Sequence, residues 1–371
     1  MSKKIIALLI FSTLSVTVTV SAASPLNISA KAAIVIEAST GKILYEKNAD
    51  ESRYPASTTK MMTIITALEA GNVKDIVTVS PNSANTEGSS MDLLVTERLK
   101  MQDMLYGVAL VSGNDATVAI AEHISGTVSN FAKLMTDKAH RIGALNTNFT
   151  NSSGLPDPNH YSTAHDLARI AAYGYKNPKF AEIVGTLQKN IPRNNQQEEL
   201  FYNENKLLRV YSGANGVKTG YTSDAGRCLV SAAKRENIQL IAVVLDADTM
   251  WEDSMALLDY GFSQLQETEI IHAGNPVATI QVTNGETDVT PAVIRNSLFV
   301  PITQSNRDEF QIVVKVSETV SAPVTAGQKV GVVKIMYHGK EVASSDVVVT
   351  TSVKHNSIFL KIKNFFASLF H

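Results

Sequence analysis

Ser57-Thr58-Thr59-Lys60, Ser112-Gly113-Asn114 and Lys218-Thr219-Gly220 are three short runs whose residue types together suit nucleophilic acyl transfer. A helix turns once per about 3.6 residues, so Ser57 and Lys60 fall on one face, one turn apart. The lysine amine can then take the proton of the serine hydroxyl, provided the amine is neutral. A lysine has a reference pKa of about 10.4, and both burial and a second cation lower it. Met61, Met62, Ile64, Ile65 and Leu68 make the following turns almost wholly apolar, which predicts a buried helix with Pro55 at its start and Gly71 as its C-cap. Lys218 is the expected second cation.

Ser112-Gly113-Asn114 lies between helical patterns over 102–111 and 115–124. A tight turn there would project Ser112 and Asn114 into a cleft, Ser112 to relay a proton between Lys60 and a leaving amine, Asn114 to hold a substrate amide. Asp115 is suited to cap the second helix. Lys218-Thr219-Gly220 follows Gly213 and Gly216 and precedes Tyr221. A strand here would lay its backbone along a substrate, with Gly220 permitting close approach. A backbone N–H near Tyr221 could join that of Ser57 as an oxyanion hole, and a lysine beside a threonine hydroxyl suits a substrate carboxylate. Taken singly, the runs also read as an N-cap with a snorkelling lysine, a helix-turn-helix junction and a basic edge strand. Their combination in this order points to a site.

With the wording around them, these motifs resemble the low-molecular-mass penicillin-binding D-alanyl-D-alanine carboxypeptidases. The likeness includes 34–41 (IVIEASTG), 54–63 (YPASTTKMMT), 110–115 (LVSGND), 151–155 (NSSGL) and 216–222 (GVKTGYT), and it spans residues 30–265, with a looser match in the tail. It implies that Ser57 is acylated, Lys60 accepts its proton, Ser112 and Asn114 form the second motif, and Lys218 and Thr219 contact the carboxylate of substrates and β-lactams. The implied substrate is a peptidoglycan stem peptide ending in D-Ala-D-Ala, and no cofactor is implied. The sequence departs from the family at one place: some relatives carry an arginine after the last core strand, where this chain reads Asp246-Ala247-Asp248-Thr249-Met250-Trp251.

The elements that must position these residues can be read from periodicity. Two strands alternate around Thr40-Gly41 between residues 32 and 48, and two more flank Glu236-Asn237 between 227 and 246. Helical patterns cover 130–143, 164–175 and 178–185, and Tyr260-Gly261-Phe262 closes the unit. The expected fold is α+β, an antiparallel sheet built from both ends of the domain with helices on its faces, as in the penicillin-binding/β-lactamase-like transpeptidase domain. After Glu267 short alternating strands such as 310–316 and 330–337, separated by Gly and Asn turns, predict a small all-β sandwich. The expected division is 24–266 for the catalytic domain and 267–351 for the accessory domain.

The ends suggest where the protein works. Lys3 and Lys4, the apolar run 5–20 and the small residues Ser21, Ala22 and Ala23 read as a secretory signal over 1–23. No cysteine is present there to carry a lipid. The formal charge of −2 would become −4 on loss of those two lysines, which leaves no basic excess for nucleic acid. The single Cys228 cannot form an intramolecular disulfide and is expected to be a buried structural thiol. Ile358, Phe359, Ile362, Phe365, Phe366, Leu369 and Phe370 fall on one arc of a helix within 352–371. It is shorter than the roughly 20 apolar residues of a membrane span. It reads as an amphipathic helix in the membrane interface, or as one that docks on protein. The expected location is peripheral, on the outer face of the cytoplasmic membrane.

Other chemistries are weighed on the same residues. His160, His165, Asp157 and Asp166 are the one metal-like cluster, but there is no H-E-x-x-H, and His165-Asp166 reads as the start of a helix. A β-lactamase of the commonest type needs a glutamate on a loop between the second and third motifs. Residues 150–155 offer no carboxylate, and Glu198, Glu199 and Glu204 are nearer the third motif. A wall-associated penicillin-binding scaffold with weak turnover stays open, because deacylation depends on water placement. The favoured expectation is a serine D-Ala-D-Ala carboxypeptidase working through an acyl-enzyme on Ser57.

Overall fold

The run Ala32–Glu37 (β1) is buried at every position, and a strand buried on both faces must be covered by structure on both sides. It pairs antiparallel with Ile43–Lys47 (β2) on one side. The computed structural model describes residues 26–193, 198–303 and 307–356, so the leader 1–23 and the apolar arc 358–370 lie outside the described residues. Two short ladders follow in the chain, Ile76–Thr78 (β3) with Arg98–Lys100 (β4) and Gln188–Pro192 (β5) with Glu198–Tyr202 (β6). Then come Ala214–Thr222 (β7), Gly226–Arg235 (β8) and Ile238–Leu245 (β9). β9 pairs with β1, which gives a five-stranded sheet in the order β2-β1-β9-β8-β7. It is the expected antiparallel sheet made from both ends of the domain, with β2 and β7 as its two edges.

One face of this sheet packs on helices Lys60–Ala70 (α1), Ala164–Gly174 (α6) and Pro178–Gly185 (α7), and Pro81–Ala84 (α2), Met101–Leu110 (α3), Asn114–Ser125 (α4) and Val128–Arg141 (α5) build outward from them. The larger core lies there, with Ile34, Ile36, Val230 and Val243 meeting Met61, Met62, Leu105, Ile120 and Phe131. The other face, through Val35, Leu240 and Val244, is covered by Met250–Ser263 (α9), which brings Leu257 and Leu258. Leu207–Val210 (α8) is one turn that leads into β7. The expected helix start at Pro55 proves to be a 3-10 turn, Ala56–Thr59, before α1 begins at Lys60.

Beyond α9 the chain is all β. Gln266–Ile271 (β10) pairs with Leu298–Ile302 (β13). Pro276–Thr283 (β11), Val289–Ile294 (β12), Phe310–Val316 (β14), Thr319–Ser321 (β15), Lys329–Tyr337 (β16) and Lys340–Val349 (β17) form a sheet in the order β14-β16-β17-β12-β11-β15. Val300 and Leu298 of the small sheet meet Ile280, Ile335 and Val347 of the large one in a separate core, as a sandwich requires. Bridges from Val353 to Val324 and from His355 to Gly285 carry the pairing past residue 351. Among the described residues no helix is long and apolar enough to cross a membrane.

Candidate active site

The nucleophile turn is held from three sides. The Pro55 carbonyl accepts from the Thr58 hydroxyl at 2.6 Å and from the Thr58 N–H at 3.2 Å. Gly154, with φ +87, passes so close that a Cβ there would lie 1.9 Å from the Ala56 carbonyl oxygen. From the sheet side, a Cβ on Gly220 would lie 3.1 Å from Ser57 N and 3.2 Å from both Ala56 Cβ and the Pro55 oxygen. The close approach that Gly220 permits is therefore to the nucleophile's own turn. The sequence suggests a close approach of Gly220 to the substrate backbone; the neighbour found within the protein itself is this turn.

Within this clamp Nζ of Lys60 lies 2.7 Å from Ser57 Oγ and donates to the Ser153 carbonyl at 2.8 Å. Lys60 has no solvent exposure. Burial holds its amine well below the usual lysine range, the charge of Lys218 pushes it the same way, and Glu204 and Asp115 oppose. An amine kept neutral presents a lone pair to the Ser57 hydroxyl, which then donates to it. Lys218 is also buried, and burial brings its pKa down to about 8 against the upward pull of Glu204. Burial and Lys218 both push Lys60 toward the neutral form that can act as a base, whereas Lys218, at about 8, is mostly a cation at neutral pH.

Ser112 occupies the turn between α3 and α4 in the left-handed region, φ 61, and is buried. Asn114 opens α4; its Nδ2 donates to the Glu87 carbonyl at 2.6 Å, while Oδ1 is buried with no protein partner. A buried orphan acceptor is costly unless something binds it, and a substrate N–H would. Asp115, expected as a simple cap, accepts instead from the N–H groups of Met91 and Leu93 at 3.0 Å and from the Ser90 hydroxyl at 2.7 Å. It thereby fixes the loop in front of the second motif. The 151–155 loop is tied to the helices by Ser152, whose hydroxyl bonds Thr117 and whose carbonyl accepts from Thr63 at 2.5 Å.

On β7, Lys218 and Thr219 lie adjacent, with Nζ 3.3 Å from the Thr219 hydroxyl. Tyr221 is 65% exposed, so its ring is at the rim and its contribution to the site falls to the backbone. Two participants were not expected. Glu204 reaches the third motif, its Oε2 3.3 Å from the Thr219 hydroxyl and 3.9 Å from Lys218 Nζ. His160 supports the first: the Thr150 N–H donates to Nδ1 at 3.1 Å, so Nε2 carries the proton and donates to Thr59 at 2.8 Å. Burial lowers the His160 pKa to about 4, and both its ring nitrogens are occupied. Of the rest of the metal-like cluster, His165 pairs with Asp50, Asp166 accepts from Asn146 and Thr147 at the start of α6, and Asp157 accepts from the Asn159 N–H. Cys228 is buried in β8, opposite Gly220, with its thiol pushed up to about 11 by burial.

Comparison with known proteins agrees with this geometry. Residues 18–249 match the family model "D-alanyl-D-alanine carboxypeptidase", and 265–355 match "Penicillin-binding protein 5, C-terminal domain". The chain is similar to the D-alanyl-D-alanine carboxypeptidase DacF of Bacillus subtilis, 36% identical over 341 residues, covering 89% of this chain and 87% of the relative. It is also similar to DacA of Haemophilus influenzae, 34% identical over 354 residues, covering 91% and 89%. Among solved structures, penicillin-binding protein 5 of Haemophilus influenzae aligns with a TM-score of 0.64 at 32% identity, covering 90% of this chain and all of that one.

Proposed function

The chain belongs to the D-alanyl-D-alanine carboxypeptidase family, penicillin-binding serine peptidases of the cell wall, and from that premise we propose which of its residues perform the reaction. Ser57 is the acylated nucleophile and Lys60 its base. The observation that carries this is a wholly buried lysine amine 2.7 Å from the serine hydroxyl, with a second buried lysine acting on it.

The steps follow from the placement of the groups. Lys60 takes the hydroxyl proton as Ser57 Oγ attacks the carbonyl between the two terminal D-alanines. The oxyanion is stabilised by the backbone N–H groups of Ser57 and Tyr221, and the missing side chain of Gly220 leaves room for the Ser57 N–H beside the strand. Lys218 and Thr219 hold the terminal carboxylate, and Asn114 Oδ1 accepts from a substrate amide. Ser112 carries the proton to the departing amine. Water then releases the acyl-enzyme. β-Lactams enter by the same attack. The test is release of free D-alanine from a D-Ala-D-Ala peptide: Ser57→Ala should abolish it, and turnover at the native rate by that variant would refute the assignment.

We further propose export through the leader 1–23, a domain division near residue 265, and peripheral membrane attachment through the apolar arc Ile358 to Phe370. Because pairing runs to His355, a truncation should be made after residue 356. Liposome flotation of the intact chain but not of the truncated one is the expected result; flotation of both would remove the tail as an anchor.

A further inference from the structure

Glu204 stands between two buried asparagines that fix the backbone on either side of it. The Asn203 side-chain amide donates to the Thr186 carbonyl at 2.9 Å, and the Asn205 side-chain oxygen accepts from Leu207 N at 3.1 Å. The N–H of Glu204 itself donates to the carbonyl of Leu110, two residues before Ser112, at 3.0 Å. Its carboxylate is therefore presented from a rigid segment that joins the second motif to the third. One oxygen, Oε2, accepts from the Thr219 hydroxyl and faces Lys218 Nζ at 3.9 Å, although the side chain is 47% exposed and free to meet a ligand. That is the place where, on the reading above, a substrate's terminal carboxylate docks.

We propose that Glu204 is a specificity-determining residue, which disfavours a leaving residue with a free carboxylate and favours one that carries a carboxamide or an ammonium group there. A free carboxylate must displace Glu204 from Thr219 and Lys218 or lie beside it as a like charge. A carboxamide or ammonium group can donate to Oε2 while Lys218 stays paired. The chemistry is unchanged. The Ser57 Oγ–carbon bond forms, the carbon–nitrogen bond of the D-alanyl linkage breaks, the amine leaves with the proton first taken by Lys60, and water hydrolyses the ester. The structure thus points to cleavage of D-alanyl bonds whose leaving residue is substituted at its carboxyl, beside the terminal D-alanine reaction. This rests on the assignment of Lys218 and Thr219 as the carboxylate subsite.

The test compares kcat/KM for one acylated peptide ending in D-Ala-D-Ala with that for its C-terminal amide. Removing one half-exposed like charge from such a site should change the amide-to-acid ratio by about tenfold, which is roughly 1.4 kcal/mol. Glu204→Gln keeps the shape and is expected to lower the ratio by that factor, chiefly by improving the acid. An unchanged ratio would overturn the proposal. Thr219→Val separates two failures: if it moves the ratio while Glu204→Gln does not, the subsite stands and Glu204 has no part in selection. If neither variant moves it, the subsite assignment falls and the proposal with it.

Discussion

Gly220→Ala is the substitution whose consequence is most directly read from the structure. Gly220 is in an ordinary strand and not in the left-handed region, so alanine meets no backbone penalty and acts by its methyl group alone. That methyl carbon would lie 3.1 Å from Ser57 N, 3.2 Å from Ala56 Cβ and 3.2 Å from the Pro55 oxygen, each inside van der Waals contact by a few tenths of an ångström. All three atoms belong to one short turn, which would have to retreat as a unit. Behind it stand Gly154, already against the Ala56 carbonyl, and the Thr58 hydroxyl bonded to Pro55. Overpacking of this kind costs about 1–3 kcal/mol of stability. A misplacement of 1 Å costs on the order of 10²-fold in rate, so a few tenths should lower acylation about fivefold. Lys218 and Thr219 remain in place, so the loss should fall on the acylation rate more than on substrate affinity. Stopped-flow acylation by a fluorescent penicillin, with urea unfolding alongside, measures both quantities. Native acylation with native stability would refute the view that Gly220 is there to clear the nucleophile turn.

Lys60→Arg should reduce acylation by about 10²–10⁴, because a guanidinium stays protonated and cannot act as a base; pre-steady-state labelling measures it, and a native rate would exclude Lys60 as base. For the native enzyme acylation should rise with pH as Lys60 loses its proton. Lys218→Met removes a cation that helps keep Lys60 neutral, so besides weakening carboxylate binding it should move this limb of the penicillin acylation profile to higher pH; an unmoved limb would show that Lys218 does not act on Lys60. His160 has a folded pKa of about 4 against its usual 6.5. The unfolded chain therefore binds its proton first as pH falls, and stability should drop between about pH 6.5 and 4 by on the order of 3 kcal/mol. His160→Gln should flatten that part of the pH dependence in urea unfolding, and an equal slope in both proteins would contradict the role given to His160.

Local features of this chain were legible in its sequence. The hairpins at Thr40-Gly41 and Glu236-Asn237, the helix over 178–185 and the one-turn spacing of Ser57 and Lys60 depend on residues near one another in the chain, and each is found where its pattern put it. Features set by distant residues were not. Asp115 looks like a cap because Asp suits a first helical turn, yet besides the adjacent Ala116 N–H its partners lie more than twenty residues earlier. Gly220 meets a turn over 160 residues away, and nothing in K-T-G-Y names that neighbour. Glu204 lies fourteen residues before Lys218 and becomes part of its site because the buried asparagines beside it shape the loop. An N-x-N pattern around a charged residue, just ahead of the third motif, was the available signal. His160 could be seen as a titratable group but not as the support of Thr59, which needs the Thr150 N–H to fix its tautomer.

The central claim is that Ser57, made nucleophilic by Lys60, carries the acyl group. The direct measurement is mass spectrometry of the protein after reaction with penicillin, followed by peptide mapping. One adduct of the antibiotic's full mass on the peptide containing Ser57, absent from Ser57→Ala and formed far more slowly by Lys60→Arg, is the predicted result. An adduct on any other residue of the native protein, or undiminished labelling of Ser57→Ala, would contradict the account.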